Sequence, residues 1–138
     1  MAIRQLTVFA ENKVGYLSEI TELLAANAID MKALSIADTK DFGILRLIVD
    51  KPDTALNVLK EHGFLGTVTE VVGVEINNET GELSKALAVL AKDGVNVEYL
   101  YAFLSGTVGS AYVVIKATDN AAAERILEKA GFKELKGI

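Results

Sequence analysis

NKVGYLSEITELLAANAIDM, residues 12–31, and NETGELSKALAVLAKDGVNV, residues 78–97, are two versions of one segment. Asn12, Gly15, Leu17 and Ser18 recur as Asn78, Gly81, Leu83 and Ser84, an offset of 81 − 15 = 66, with matching apolar positions after them. The offset persists at Asp30 and Asn96, Gly43 and Gly109, and Leu47 and Val113, then becomes 131 − 63 = 68 at HGF (62–64) and AGF (130–132). Two residues are gained before the last helix. Self-similarity at such a period means that one supersecondary unit occurs twice.

Outward from the repeated segment, the first half opens with the extended run IRQLTVFA, and Leu17, Ile20, Leu23 and Leu24 form a helical stripe that ends at Asn27. IDMKALSIAD and ILRLIVD are strands joined by the turn-prone TKDFG, and ALNVLKEHG is a short helix stopped by Gly63. In the second half the stripe is Leu83, Ala86, Leu87, Leu90 and Ala91, the strands are VNVEYLYAFL and SAYVVIKA, and AAAERILEKAG is the last helix. The plan is an α+β fold of two fused ferredoxin-like βαββαβ units, residues 1–70 and 71–138, with antiparallel sheets covered by helices on one face. FLGTVTE, the fourth strand of the first unit, runs straight into VVGVEI, the first of the second, so the pair is expected to be one rigid body.

Alternate strand residues point to opposite faces. Leu6 and Val8, Leu34 and Ile36, and Leu45, Leu47 and Val49 share one face, matched by Val72 and Val74, Leu100 and Leu104, and Val113 and Ile115. That face is expected to be the helix-covered core. The other carries Val71, Tyr99, Tyr101, Phe103, Tyr112 and Val114 in the second half and Phe9, Ile44 and Ile48 in the first, with small residues at Ala33, Ser35 and Ala37. So apolar a face is expected to be buried, between the halves or between two chains of a homodimer; the alternative is tyrosines snorkelling from an open sheet.

Composition removes several functional classes. The 138 residues are 51% apolar and 24% charged with one proline, a globular composition. Nineteen acidic against fourteen basic side chains leave −5, without the basic cluster that a phosphate backbone requires, so nucleic acid is not an expected partner. With no cysteine and one histidine, no metal site, cofactor or thiolate chemistry is expected, and His62, just before Gly63, reads as a helix cap. The start MAIRQLTVFAEN has no signal-peptide pattern and no run approaches a membrane span, so a cytoplasmic protein with no membrane partner is expected. Acidic pairs such as Glu19 and Glu22 lie among alternating charges as solvated helix faces. No nucleophile, base and orienting group stand together, so the chain is not expected to be an enzyme.

The remaining chemistry sits where each first strand meets its helix, at ENKVGYL (11–17) and NNETGEL (77–83). A helix N-terminus offers free N–H groups and a positive dipole end, and glycine allows close approach of a small anion such as a carboxylate. Asn12 and Asn78, three residues before each glycine, add side-chain donors and acceptors. The competing reading is a tight loop and helix start with no ligand.

The pattern Asn-x-x-Gly-x-Leu, at Asn12, Gly15 and Leu17 and again at Asn78, Gly81 and Leu83 on βαββαβ units of this size, resembles the ACT domain, an amino-acid-sensing regulatory module. Asp30-Met31 and Asn96-Val97, opening the second strands, are similar to the family pattern as well. The resemblance implies that units pair side by side or stack, and that a free L-amino acid binds at their interfaces through the loops Asn12, Val14, Gly15, Tyr16 and Leu17, and Asn78, Thr80, Gly81, Glu82 and Leu83. It also implies a non-catalytic regulator of an amino-acid biosynthetic enzyme in trans, one version being the regulatory subunit of acetolactate synthase; the alternative is a structural or protein-interaction module without ligand. The chain departs from the family pattern before each glycine, where proline is common: Val14 and Thr80 stand there. Glu11 and Lys13 surround the first loop and Glu79 and Glu82 the second, so the two sites are expected to be unequal, or only one of them to work.

Overall fold

The computed structural model describes residues 1–38 and 42–135. Thr39 to Asp41, inside the turn read from TKDFG, lie outside the described residues. The chain forms two compact units, one of Arg4–Thr69 and one of Met1–Ile3 with the residues from Glu70 onward.

The first unit contains β1 (Ala2–Glu11, from Arg4), α1 (Tyr16–Ala26), β2 (Met31–Asp38), β3 (Phe42–Val49), α2 (Pro52–Glu61) and the opening of β4 (Leu65–Asn77). Its strand order is β2-β3-β1-β4, with Leu6 opposite Leu47, Val8 opposite Leu45, Leu34 opposite Leu47 and Ile36 opposite Leu45. Leu6, Val8, Leu45 and Leu47 form a core with Ile20 and Leu24 of α1, Ala55 and Leu59 of α2, and Phe64. Each such leucine contributes about 2 kcal/mol by leaving water. α1 ends at Asn27, as the stripe requires, and α2 starts on Pro52 at its first turn and ends at His62. The His62 Nδ1 lies 2.9 Å from the Val58 carbonyl oxygen, so the imidazole serves the helix end.

The second unit contains the rest of β4, α3 (Glu82–Lys92), β5 (Val97–Leu104), β6 (Ser110–Ala117), α4 (Asn120–Lys129) and β7 (Lys133–Glu134). β6 pairs with both β4 and β5, and β7 pairs with β4 at Val74 and Glu134. Val72, Val74, Val113 and Ile115 pack with Ala86, Leu90, Ala123 and Leu127 of the two helices. α4 is capped by Asp119, whose carboxylate accepts from the Ala122 N–H at 3.0 Å. Asn120 ties the helix to the sheet by accepting from the Ala117 N–H and donating to the Glu70 carbonyl, both at 2.9 Å.

FLGTVTE does run straight into VVGVEI: Leu65–Asn77 is one thirteen-residue strand, β4, since nothing in this Val- and Thr-rich run turns the chain. Gly73 in its middle makes room for a neighbour: a Cβ there would fall 2.7 Å from Leu135 Cδ1. One expectation changes: Leu34, Ile36 and Leu104 lie on the helix side by register yet are 53%, 46% and 87% exposed. Strand alternation fixes the side, whereas cover depends on position in the sheet, and β2 and β5 are outermost strands.

The opposite face is closed at half of the positions that alternation assigns to it, and Phe9 on it is 44% exposed. In the second unit Val71, Tyr101, Tyr112 and Val114 are buried within a single chain, and Phe103 meets Tyr112 edge to face at 5.3 Å. In the first, Ala33, Ile48 and the polar Gln5 are buried, with Gln5 Nε2 donating to Thr7 Oγ1 at 3.0 Å.

Candidate functional site

Both glycine loops have the same backbone. Gly15 and Gly81 are the residues before α1 and α3, at φ of 86° and 90°, a left-handed conformation that side chains disfavour. A Cβ on either would meet nothing within 4 Å, so the backbone angle and not crowding selects glycine. Neither helix start has a side-chain cap. The Tyr16 N–H reaches back to the Lys13 carbonyl at 3.4 Å and the Glu82 N–H to the Glu79 carbonyl at 3.3 Å. The N–H groups of the turns that follow keep the positive end of each helix at the surface.

Around the first loop, the end of β1, the first turn of α1 and the facing ends of β2 and β3 enclose a cavity of about 90 Å³. Ala10, Leu17, Ile36 and Gly43 supply its apolar wall, and Glu11, Asn12, Lys13 and Asp38 its polar groups. Because a water needs roughly 10–15 Å³ on this scale, the space admits a group of several non-hydrogen atoms. The sheet register builds the wall, since Gly43 is the residue opposite both Ala10 and Asp38. Lys13 Nζ lies 3.0 Å from the Glu11 carboxylate and 5.3 Å from the Tyr16 ring centroid. The Glu11 hydrogen bond and charge raise the Lys13 pKa, so this ammonium stays charged through neutral pH.

The loop residues are divided by this geometry. Asn12 and Leu17 line the cavity, whereas Val14 is fully exposed. Tyr16 turns to the other side of the helix, meets Phe64 edge to face at 5.2 Å and lines a cleft of about 200 Å³ with Phe9, Gly63 and Leu65. Ala10, Ile36, Asp38 and Gly43 were not among the residues that the loop pattern singles out, and Glu11 and Lys13 entered it only as charges around the loop. The recurrence of Gly43 as Gly109 was the sequence signal available for that wall.

The second loop differs. Asn78 donates its N–H to the Gly109 carbonyl at 2.9 Å, and Asn78, Thr80 and Gly81 are exposed. Glu82 holds Lys85 at 2.8 Å, which raises the lysine's pKa, and both line a groove of about 370 Å³ with Glu75, Asn77 and Lys133. Leu83 packs against the second core. The repeat puts Glu79 where the first loop has Lys13, and Leu104 where it has Asp38. At those two positions the second loop lacks the cation and the facing carboxylate of the first, and the charges of its groove come from other places, Lys85, Lys133, Glu75 and Glu82. Among the described residues no cluster of histidine, aspartate and glutamate could hold a metal ion, and no helix is long and apolar enough to cross a membrane.

Residues 1–136 match the family model of the ACT domain pair. A solved structure of protein BT0572 from Bacteroides thetaiotaomicron is 41% identical, with a TM-score of 0.91 over 98% of this chain and 92% of that one. The ligand-free regulatory subunit of aspartate kinase from Thermus thermophilus shares the fold at 17% identity, with a TM-score of 0.65 over 95% of this chain and 97% of that one. Aspartokinase III of E. coli, solved with lysine and aspartate, matches 94% of this chain with 30% of its own length, at 17% identity and a TM-score of 0.55. Comparison with curated proteins finds no match. By the family model across nearly its whole length and by a relative at this identity, the chain belongs to the ACT domain family, as an ACT domain pair.

Proposed function

We propose that this ACT domain pair is a non-catalytic sensor of a free L-amino acid, acting as a homodimer in the cytoplasm on an amino-acid biosynthetic enzyme in trans. Its two halves, divided near residue 70, are unequal, and the first carries the ligand. The supporting observation is the cavity beside Asn12, which joins groups of both signs to an apolar wall. A free amino acid carries a carboxylate, an ammonium and a side chain. Lys13 and the start of α1 suit the carboxylate, Asp38, Glu11 and the Asn12 amide oxygen suit the ammonium, and Leu17 and Ile36 suit a compact apolar side chain. The solved relatives named as regulatory subunits of aspartate kinase add support for a regulatory role through the shared fold.

Thermal-shift screening of the twenty amino acids tests this reading. A ligand at a hundred times its Kd stabilises the folded state by about 2.7 kcal/mol, a rise of several degrees in Tm. One amino acid or one chemically related group is expected to give that rise. No shift with any of them at millimolar concentration favours the interaction module without ligand.

A further inference from the structure

The offsets that relate the two halves, 75 − 9 = 66 early and 133 − 65 = 68 late, also relate two clefts that lie apart from the cavity beside Asn12. Phe9, Tyr16 and Leu65 of the first cleft correspond to Glu75, Glu82 and Lys133 of the second, while Phe64 is kept as Phe132 and Gly63 as Gly131. In the first unit Tyr16 packs on Phe64 and the cleft holds about 200 Å³; in the second a glutamate replaces that tyrosine and the groove opens to about 370 Å³. One place in the fold is apolar in one unit and charged in the other.

Taking a carboxylate out of water is costly unless a partner compensates. Glu82 is 12% exposed, and its place in the first turn of α3, with Lys85 Nζ at 2.8 Å, accounts for its charge there. Glu75 has no such account. It is half-buried on β4, and among the described residues its carboxylate has neither an ion pair nor a side-chain hydrogen bond. Lys133 stands opposite it across β4 and β7, yet no ion pair joins them, so the groove wall carries one unmatched charge of each sign. Lys85 is largely exposed, and a surface pair such as it makes with Glu82 leaves the ammonium available to a further anion. Ile76 and Phe132 add apolar surface.

We propose that this groove is a second ligand site, for a small zwitterion whose ammonium and carboxylate stand several carbons apart, an ω-amino acid in chemical class. Glu75 accepts from the ammonium, Lys85 and Lys133 hold the carboxylate, Glu82 positions Lys85, and the carbon chain lies on Ile76 and Phe132. The size of the groove, about 370 Å³ against about 90 Å³ beside Asn12, and the placing of its charges on separate elements, β4, α3 and β7, suit a longer molecule than an α-amino acid, which carries both charges on one carbon. The site belongs to the second unit and stands apart from the sensor reading.

Titration calorimetry of the full chain with γ-aminobutyrate, δ-aminovalerate and ε-aminocaproate tests it. At least one is expected to bind at millimolar concentration or below, and butylamine and butyrate, each with one of the two charges, at least about tenfold more weakly. Glu75→Gln keeps the shape and removes the charge, and is expected to weaken binding about tenfold or more while the melting curve stays in place. Lys85→Gln is expected to weaken it as well. Asn12→Ala is expected to leave it unchanged, which separates this groove from the cavity of the first unit. No binding of any of the three zwitterions at millimolar concentration, butylamine binding as tightly as they do, full affinity in Glu75→Gln, or loss of binding in Asn12→Ala would overturn the proposal.

Discussion

Leu34 stands directly opposite Leu47 across β2 and β3, on the same side of the sheet, yet Leu47 is fully buried and Leu34 is 53% exposed. One strand separates a core residue from a surface one. The position of β2 at the edge leaves its apolar side chains available and makes Ile36 and Asp38 an outer wall of the cavity beside Asn12.

Tyr101 is 9% exposed and Val114 opposite it is fully buried. Tyr101→Asp is therefore expected to destabilise the fold by about 2–4 kcal/mol, through a buried charge and lost packing. Urea unfolding measures the change. Unchanged stability would mean that this face is open.

Gly15→Val is expected to cost about 1–2 kcal/mol, because φ at 86° disfavours a branched residue. Gly15→Asn, which tolerates left-handed backbone, is expected to cost less than half as much. Equal costs in chemical denaturation would point to crowding instead, although a Cβ there has open space around it.

The Asp119 carboxylate caps α4 through the Ala122 N–H. Asp119→Ala is expected to lower stability by about 1 kcal/mol, and Asp119→Ser to recover most of it. Calorimetric melting of the three proteins decides this.

Arg4 grips Asp53 with both guanidinium nitrogens, at 2.8 and 2.6 Å, and this hydrogen bonding holds the Asp53 carboxyl below its ordinary range. A folded-state pKa below the unfolded value of about 3.9 means the contribution is present above that pH and disappears as pH falls through the folded value. Asp53→Asn is therefore expected to melt slightly below wild type at pH 7, with the gap closing toward pH 3. A gap that widened on acidification would contradict this pairing.

The repeat made the architecture legible, because Gly15 and Gly81 and the leucines after them recur in step, and α1 and α3 begin right after those glycines. Alternation also placed Leu6, Val8, Val113 and Ile115 correctly in the cores. It could not show that Leu34, Ile36 and Leu104 lack cover, since strand order is a tertiary property. At the site, the loop motif led to Asn12 and Leu17, while Gly43 reaches the cavity by pairing with Ala10, far earlier in the chain, and brings Asp38, its partner across the β2–β3 hairpin, with it. Tyr16, adjacent to the motif glycine, belongs to the core side because a helix turns successive residues by 100°.

Titration calorimetry of the amino acid that raises Tm most, on wild type, Asn12→Ala and Asn78→Ala, tests the central claim most directly. Asn12 is exposed and lines the first cavity, so its loss is expected to weaken binding about tenfold while the fold stays intact. Asn78→Ala, in the loop without the lysine and the facing carboxylate, is expected to bind as wild type does. Absence of binding by any free amino acid at millimolar concentration, or equal affinity of wild type and Asn12→Ala, would contradict an amino-acid site in the first unit.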